Sequence, residues 1–192
     1  MSGWPGLEGI ADGIPNLLKV PYDLGTKKFW AASDELFDRF MSTQRAHVDE
    51  LRELVAATGG PPLLGTPASL VGLERWFLDV TSGPFDDGAD WAPTWTVLGG
   101  KANKDTGLSR DVLVRMQERV AIYYADVLID QLPGSQWVCW RDTQCNTPRS
   151  GKFTLDIGVY PGAARPIWVA EQVYRDNSRL FLDQSLSTYI PP

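Results

Sequence analysis

The sequence predicts an α+β fold, and two observations carry that prediction. Apolar residues recur at helical spacing between residues 33 and 132, and from Gln136 onward the spacing changes to two. The helical and strand patterns also come in separate blocks, which favours helices beside an antiparallel sheet over an alternating parallel one. The expected architecture is an N-terminal helical hairpin, a long central helix, a three-stranded (or larger) antiparallel sheet and a C-terminal helix. At 192 residues the chain is long enough to bury one sizeable core. We divide it into an apolar Pro/Gly-rich arm, 1–26, and a single α+β domain, 27–192.

The arm holds Pro5, Pro15 and Pro21 with five glycines, a density that stops any long helix. Trp4, Leu7, Ile10, Ile14, Leu17, Leu18, Val20 and Tyr22 make it too apolar for a free tail, so it should lie against the body or a partner. Ser33 followed by Asp34 and Glu35 reads as a helix start, with a capping hydroxyl and then acids at the positive end of the dipole. Leu36, Phe37, Phe40, Met41, Val48, Leu51, Leu54 and Val55 continue that helix, and Gly59-Gly60-Pro61-Pro62 ends it. Thr66-Pro67 opens the second helix with a cap and a proline at the first position, and Leu70, Leu73, Trp76, Phe77 and Val80 form its apolar side.

Residues 81–107 keep no period. They hold Gly83-Pro84, Asp86-Asp87-Gly88, Pro93 and Gly99-Gly100, and a structureless stretch of that length in a compact domain is usually functional or poorly ordered. Thr106 or Ser109 then starts the central helix, lined by Val112, Leu113, Met116, Val120, Tyr123, Tyr124, Val127 and Leu128 and closed by Leu132-Pro133-Gly134. Strands follow over Gln136–Arg141, Lys152–Tyr160 and Pro166–Tyr174, the second alternating Phe153, Leu155, Ile157 and Val159 with Thr154, Asp156 and Gly158. Trp137 and Trp168 should face the packed side and Trp140 the solvent. Leu180, Phe181, Leu182 and Leu186 suggest a closing helix.

Charge and cysteine content exclude several functions. The chain carries 18 Lys+Arg against 24 Asp+Glu, and the deficit is uneven: residues 1–100 hold 7 basic and 14 acidic side chains, net −7, and residues 101–192 are net +1. An acidic half repels phosphate backbones, so nucleic acid is not the expected partner. The same field steers a basic protein toward it. No run of about 18 apolar residues exists to span a bilayer. The first residues lack a basic and then apolar leader, so the expected location is cytoplasmic. Cys139 and Cys145 with His47 fall short of four zinc ligands, so no metal and no cofactor are expected. Cys139, inside Trp137-Val138-Cys139-Trp140, reads as a buried inert thiol, and a bridge to Cys145 across a hairpin stays open.

Catalytic constellations are weak. His47 is the only histidine, at the edge of the first helix's apolar stripe, and no Gly-x-Ser-x-Gly elbow accompanies it. Glu171, an acid inside the strand Ile167-Trp168-Val169-Ala170, is the best carboxylate for acid–base work, but a strand acid paired with Arg141 explains it equally well. Arg115 and Arg119, one turn apart, could hold an anion or form a solvated face paired with Asp111 and Glu118. Asp86, Asp87 and Asp90 lack the alternating spacing of a calcium loop. Beside Trp91 and Trp95, however, they combine charge with aromatic anchors, the composition of a protein-binding patch.

Three short motifs add a resemblance. Tyr123-Tyr124-Ala125-Asp126 in the central helix, Gly134-Ser135-Gln136-Trp137 at the first strand and Pro166-Ile167-Trp168-Val169 at the third lie within residues 112–189. That stretch resembles small bacterial domains of unknown function, common in actinobacteria and found among polymorphic-toxin immunity proteins. Where those have Gly-Glu, this chain has Ala125-Asp126. The resemblance implies a cytoplasmic inhibitor that blocks a toxin by binding, and it carries over no catalytic residue. The expected function is therefore a non-catalytic protein-binding protein of the immunity or antitoxin kind. Asp86, Asp87, Asp90, Trp91 and Trp95 would contact a basic partner. Two alternatives stand beside it. One is a small hydrolase with a cleft between the central helix and the sheet, using Glu171 or His47. The other is a structural or phage-assembly subunit whose arm wraps a neighbour.

Overall fold

The structure is a computed structural model, and it describes residues 23–82, 110–141, 151 and 153–157. Within them the chain is a mixed fold of three helices and a two-stranded antiparallel ribbon. The arm through residue 22, the strand 166–174 and the C-terminal helix expected from sequence lie outside the described residues.

Helix α1 spans Lys27–Ala57. Its start lies about two turns before the one Ser33 suggested. Thr26 is the N-cap, its side chain accepting from the Phe29 N–H at 3.2 Å, while the Thr26 hydroxyl donates to the Asp23 carbonyl. Ser33 is instead buried inside the helix and donates back to the Phe29 carbonyl at 2.9 Å. The reason is the apolar stripe: Phe29 is buried one turn ahead of Ser33, so the inner face begins at residue 29 and carries the helix start with it. The end is where the glycines placed it. Gly59 takes the left-handed conformation (φ 73°), its N–H bonding to the Ala56 carbonyl, and the Gly60 N–H bonds to Val55 at 2.7 Å. This pair of bonds is the Schellman arrangement that satisfies the last carbonyls of a helix.

Helix α2, Pro67–Ser82, and helix α3, Arg110–Gln131, complete the helical layer. Both α1 and α2 pack on α3. Glu50 of α1 meets Arg119 of α3, the Arg45 charge acts on Asp126, and Phe40 meets Trp137 just beyond α3. These contacts run in opposite directions along the two chains, so α1 and α3 are antiparallel. Helix α3 is the centre of the described residues: from Arg115 to Leu128 every residue except Asp126 is buried.

The ribbon pairs β1, Gln136–Cys139, with β2, Phe153–Asp156, in the register Trp137 opposite Leu155 and Cys139 opposite Phe153. Both strands are shorter than their period-two patterns, and one further bond, Gly151 N–H to the Trp140 carbonyl, extends the pairing. Trp137 and Phe153 are both buried and close on α1: Phe40 stands edge-on to Trp137 at 4.9 Å, and Phe37 edge-on to Phe153 at 5.1 Å. Trp140 is half-buried rather than exposed. Thr154, on the opposite face from Leu155, is 2% exposed, so at that position the ribbon is covered on both sides.

Two polar contacts fix the layers. The buried Tyr123 hydroxyl of α3 accepts from the Gly65 N–H at 2.8 Å and lies 2.6 Å from Ser69 Oγ. Ser69 donates its own proton to the Thr66 carbonyl, so Tyr123 is the donor to Ser69. Trp76 Nε1 donates to Thr58 Oγ1 at 2.7 Å, joining α2 to the end of α1. Gly60 lies under that junction, where an added Cβ would meet Val55 Cγ1 at 2.5 Å and Trp76 Cδ1 at 2.6 Å.

Candidate functional site

The residues singled out for partner binding, Asp86, Asp87, Asp90, Trp91 and Trp95, lie outside the described residues, as do Glu171 and Cys145. Their segment, 83–109, joins the end of α2 to the start of α3, two helices that pack on one another. Arg141, suggested from sequence as a partner for Glu171, has a different neighbour. Its Nη2 donates to both Asp34 carboxylate oxygens, at 2.5 and 2.6 Å, and its guanidinium sits 5.1 Å from the Trp30 ring centre. This exposed pair ties the end of β1 to the first half of α1.

The polar chemistry that the described residues bring together is a seam between α1 and α3. His47 and Glu50 lie three apart on α1, one turn of the same face. Arg115, Glu118 and Arg119 lie on α3, and all three are buried, at 8%, 2% and 3% exposure. This overturns the reading of Arg115 and Arg119 as a solvated face. The signal that could have revealed it is Val120–Ile129, ten residues with Asp126 their one charge, which marks a helix buried on every side. The two arginines fall one and five residues upstream of Val120, inside the same envelope.

Arg119 reaches across the seam. Its Nε donates to Glu50 Oε2 at 2.8 Å, its Nη2 donates to the same oxygen, and its Nη1 donates to the Arg115 carbonyl at 3.1 Å. His47 approaches Glu50 Oε2 from the other side, Nδ1 donating at 3.3 Å, a contact that fixes the proton on Nδ1 in the neutral ring. Its Nε2 is buried with no hydrogen bond. Burial pushes the Glu50 carboxyl up, but the His47 hydrogen bond and the Arg119 guanidinium together outweigh it, so Glu50 ends below the ordinary carboxylate range.

Glu118 has the opposite fate. Neither carboxyl oxygen has a hydrogen bond, and Arg119 Nη1 is 3.8 Å from Oε2. Desolvation holds Glu118 well above its usual range; Arg119 and Arg115 pull it down without prevailing, and the Glu50 charge adds to the rise. Two carboxyls beside one arginine are thus shifted in opposite directions by their environments. Further along α3, burial and the neighbouring Asp130 raise Asp126 to about 6.

Comparison with known protein families, with curated proteins and with solved structures finds no match. The site therefore has to be read from its own chemistry. Among the described residues no three His, Cys, Asp or Glu side chains converge on a metal position, and no helix is long and apolar enough to cross a membrane. Cys139 is a free, half-buried thiol, which burial raises to about 11. What the seam can do is hold α1 against α3 through the Arg119–Glu50 charge pair.

Proposed function

We propose that the chain is a non-catalytic, cytoplasmic protein-binding protein that neutralises a basic partner by direct contact, in the manner of an immunity or antitoxin protein. The observation that carries this reading is the composition of segment 81–107: Asp86, Asp87 and Asp90 beside Trp91 and Trp95, within a half of the chain that is net −7. Aromatic anchors next to charge supply both the buried contact and the steering that such a surface needs. The helical frame supports it, because the segment is attached at both ends to helices that pack together, which lowers the entropy lost when it engages a partner. The resemblance of residues 112–189 to immunity-type domains points the same way. With it goes the fuller architecture, in which residues 166–174 add a third strand to the ribbon and a helix closes the chain.

Capture from native lysate on immobilised protein, washed at low and then high salt, tests this. The expected result is one abundant basic protein that holds at low salt and elutes at high salt. A chain that recovers nothing and runs alone as a monomer contradicts it.

A further inference from the structure

We propose that the corner where α1 gives way to α2 is a self-association surface, on which a second copy of this chain docks about a two-fold axis to form a weak, reversible dimer.

The surface is written in the sequence. No charged residue occurs from 54 to 73, in a chain that is 22% charged. That run covers the end of α1, the connection and the first two turns of α2, and its exposed positions include Ala57, Pro62, Leu64, Ala68 and Val71. Among the described residues four large apolar side chains are exposed, and two of them, Leu64 at 72% and Val71 at 36%, lie here. The other two, Leu24 and Met41, sit singly among charged neighbours, which is ordinary for a protein surface.

Leu64 is held outward by its neighbours. On one side the Gly60 N–H bonds the Val55 carbonyl at 2.7 Å, and Pro61 lies so close to Gly72 that an added Cβ there would meet its Cγ at 2.9 Å. Leu63 takes the inward position, 9% exposed, as part of the core. On the other side the Gly65 N–H is tied to the Tyr123 hydroxyl at 2.8 Å. The chain around Leu64 is therefore fixed before any partner arrives, and a fixed knob loses little entropy on docking.

Charge decides the occupant. The chain is net −6 and its first hundred residues are net −7, so two copies repel each other over most of that half. The uncharged corner is where they can meet without opposing acids. A two-fold contact asks this of one patch alone, because the same residues serve both sides. A basic partner finds no acid here to draw it; those acids stand in segment 81–107, which begins at the far end of α2, roughly 22 Å from Pro67. The corner is small beside the about 20–30 residues a side of a stable interface, so Kd is on the order of 100 µM.

Sedimentation velocity on the full chain from about 10 µM to about 1 mM tests this. The wild-type mean mass should rise with concentration toward that of a dimer. Added salt should preserve or increase the rise, because it screens the repulsion between two acidic copies. That response is opposite in sign to the salt release expected of a basic partner, so the two readings fail separately. Leu64→Glu, which places two like charges near the axis, should raise Kd at least about tenfold. Met41→Glu, the same change at an exposed apolar residue outside the run, should leave Kd unchanged. Thermal unfolding at the wild-type midpoint confirms that each variant is folded; should Leu64→Glu unfold, Ala68→Glu, at an exposed helical position, takes its place with the same expectation. A wild type that stays monomeric at about 1 mM overturns the proposal and leaves the corner to another occupant. Association that salt abolishes, that Leu64→Glu leaves intact, or that Met41→Glu weakens as much, overturns it equally.

Discussion

Arg119 on α3 and Glu50 on α1, 69 residues apart in sequence, are joined by two donors of one guanidinium on a single carboxylate oxygen, with the Nε bond at 2.8 Å. The arginine is 4% exposed and the glutamate 35%, so the pair is buried on one side and wetted on the other. That asymmetry decides what its removal does.

Glu50→Gln leaves a buried guanidinium with a neutral partner. Breaking a fully buried pair costs about 3–5 kcal/mol, and the water that reaches Glu50 reduces the expected loss to about 2 kcal/mol. Urea unfolding should show a lower midpoint at unchanged slope. An unchanged midpoint would mean that the contact contributes nothing to the seating of α1.

Tyr123→Phe removes the hydroxyl that serves both Gly65 and Ser69. Because the ring is buried and its volume nearly kept, the loss is polar: about 1–3 kcal/mol from a backbone N–H left without its acceptor and a serine oxygen left without its donor. Thermal unfolding with Ser69→Ala as the second arm of a double-mutant cycle should show clear coupling between the two positions.

Asp126 gives a separate pH signature. Raised to about 6 from 3.8, it stabilises the fold fully below its unfolded value and loses that contribution as pH rises to about 6. The group is partly reached by water, so the expected effect is about 1–2 kcal/mol over that interval. Asp126→Asn should remove the decline that the wild type shows from about pH 4 through about pH 7.

Cys139 should be slow toward thiol reagents. With the thiol raised to about 11 from 9, the thiolate fraction at pH 8 falls roughly 100-fold, and burial slows access further. Alkylation of the Cys139 peptide followed by mass spectrometry checks this; a rate equal to that of a free cysteine peptide rejects it.

These predictions rest on features that were unequally legible in the sequence. The Gly59-Gly60 stop and the Thr66-Pro67 start act locally, through backbone conformation and capping, so the spelling alone located them. Ser33 misled because Ser-Asp-Glu satisfies the capping rule as well as Thr26 does, and only the burial of Phe29 decides between them. Arg115, Glu118 and Arg119 could not be placed by amphipathicity, since a helix buried on all sides has no polar face to assign them to. Thr154 shows the same limit in the ribbon, where alternation marks it as outward-facing although it is covered. The pairing of Arg141 with Asp34 is a contact over 107 residues, which no local pattern encodes. The binding residues were chosen for composition rather than for a fixed spacing, so their role rests on the partner.

The central claim is tested most directly by the affinity of the salt-eluted partner for the wild type and for the double variant Asp87→Ala, Trp91→Ala, measured by titration calorimetry at fixed ionic strength. Loss of more than about 2 kcal/mol, roughly a 30-fold rise in Kd, is the predicted result for residues at the centre of the interface. Affinity equal to that of the wild type would contradict the assignment of segment 81–107 as the binding surface.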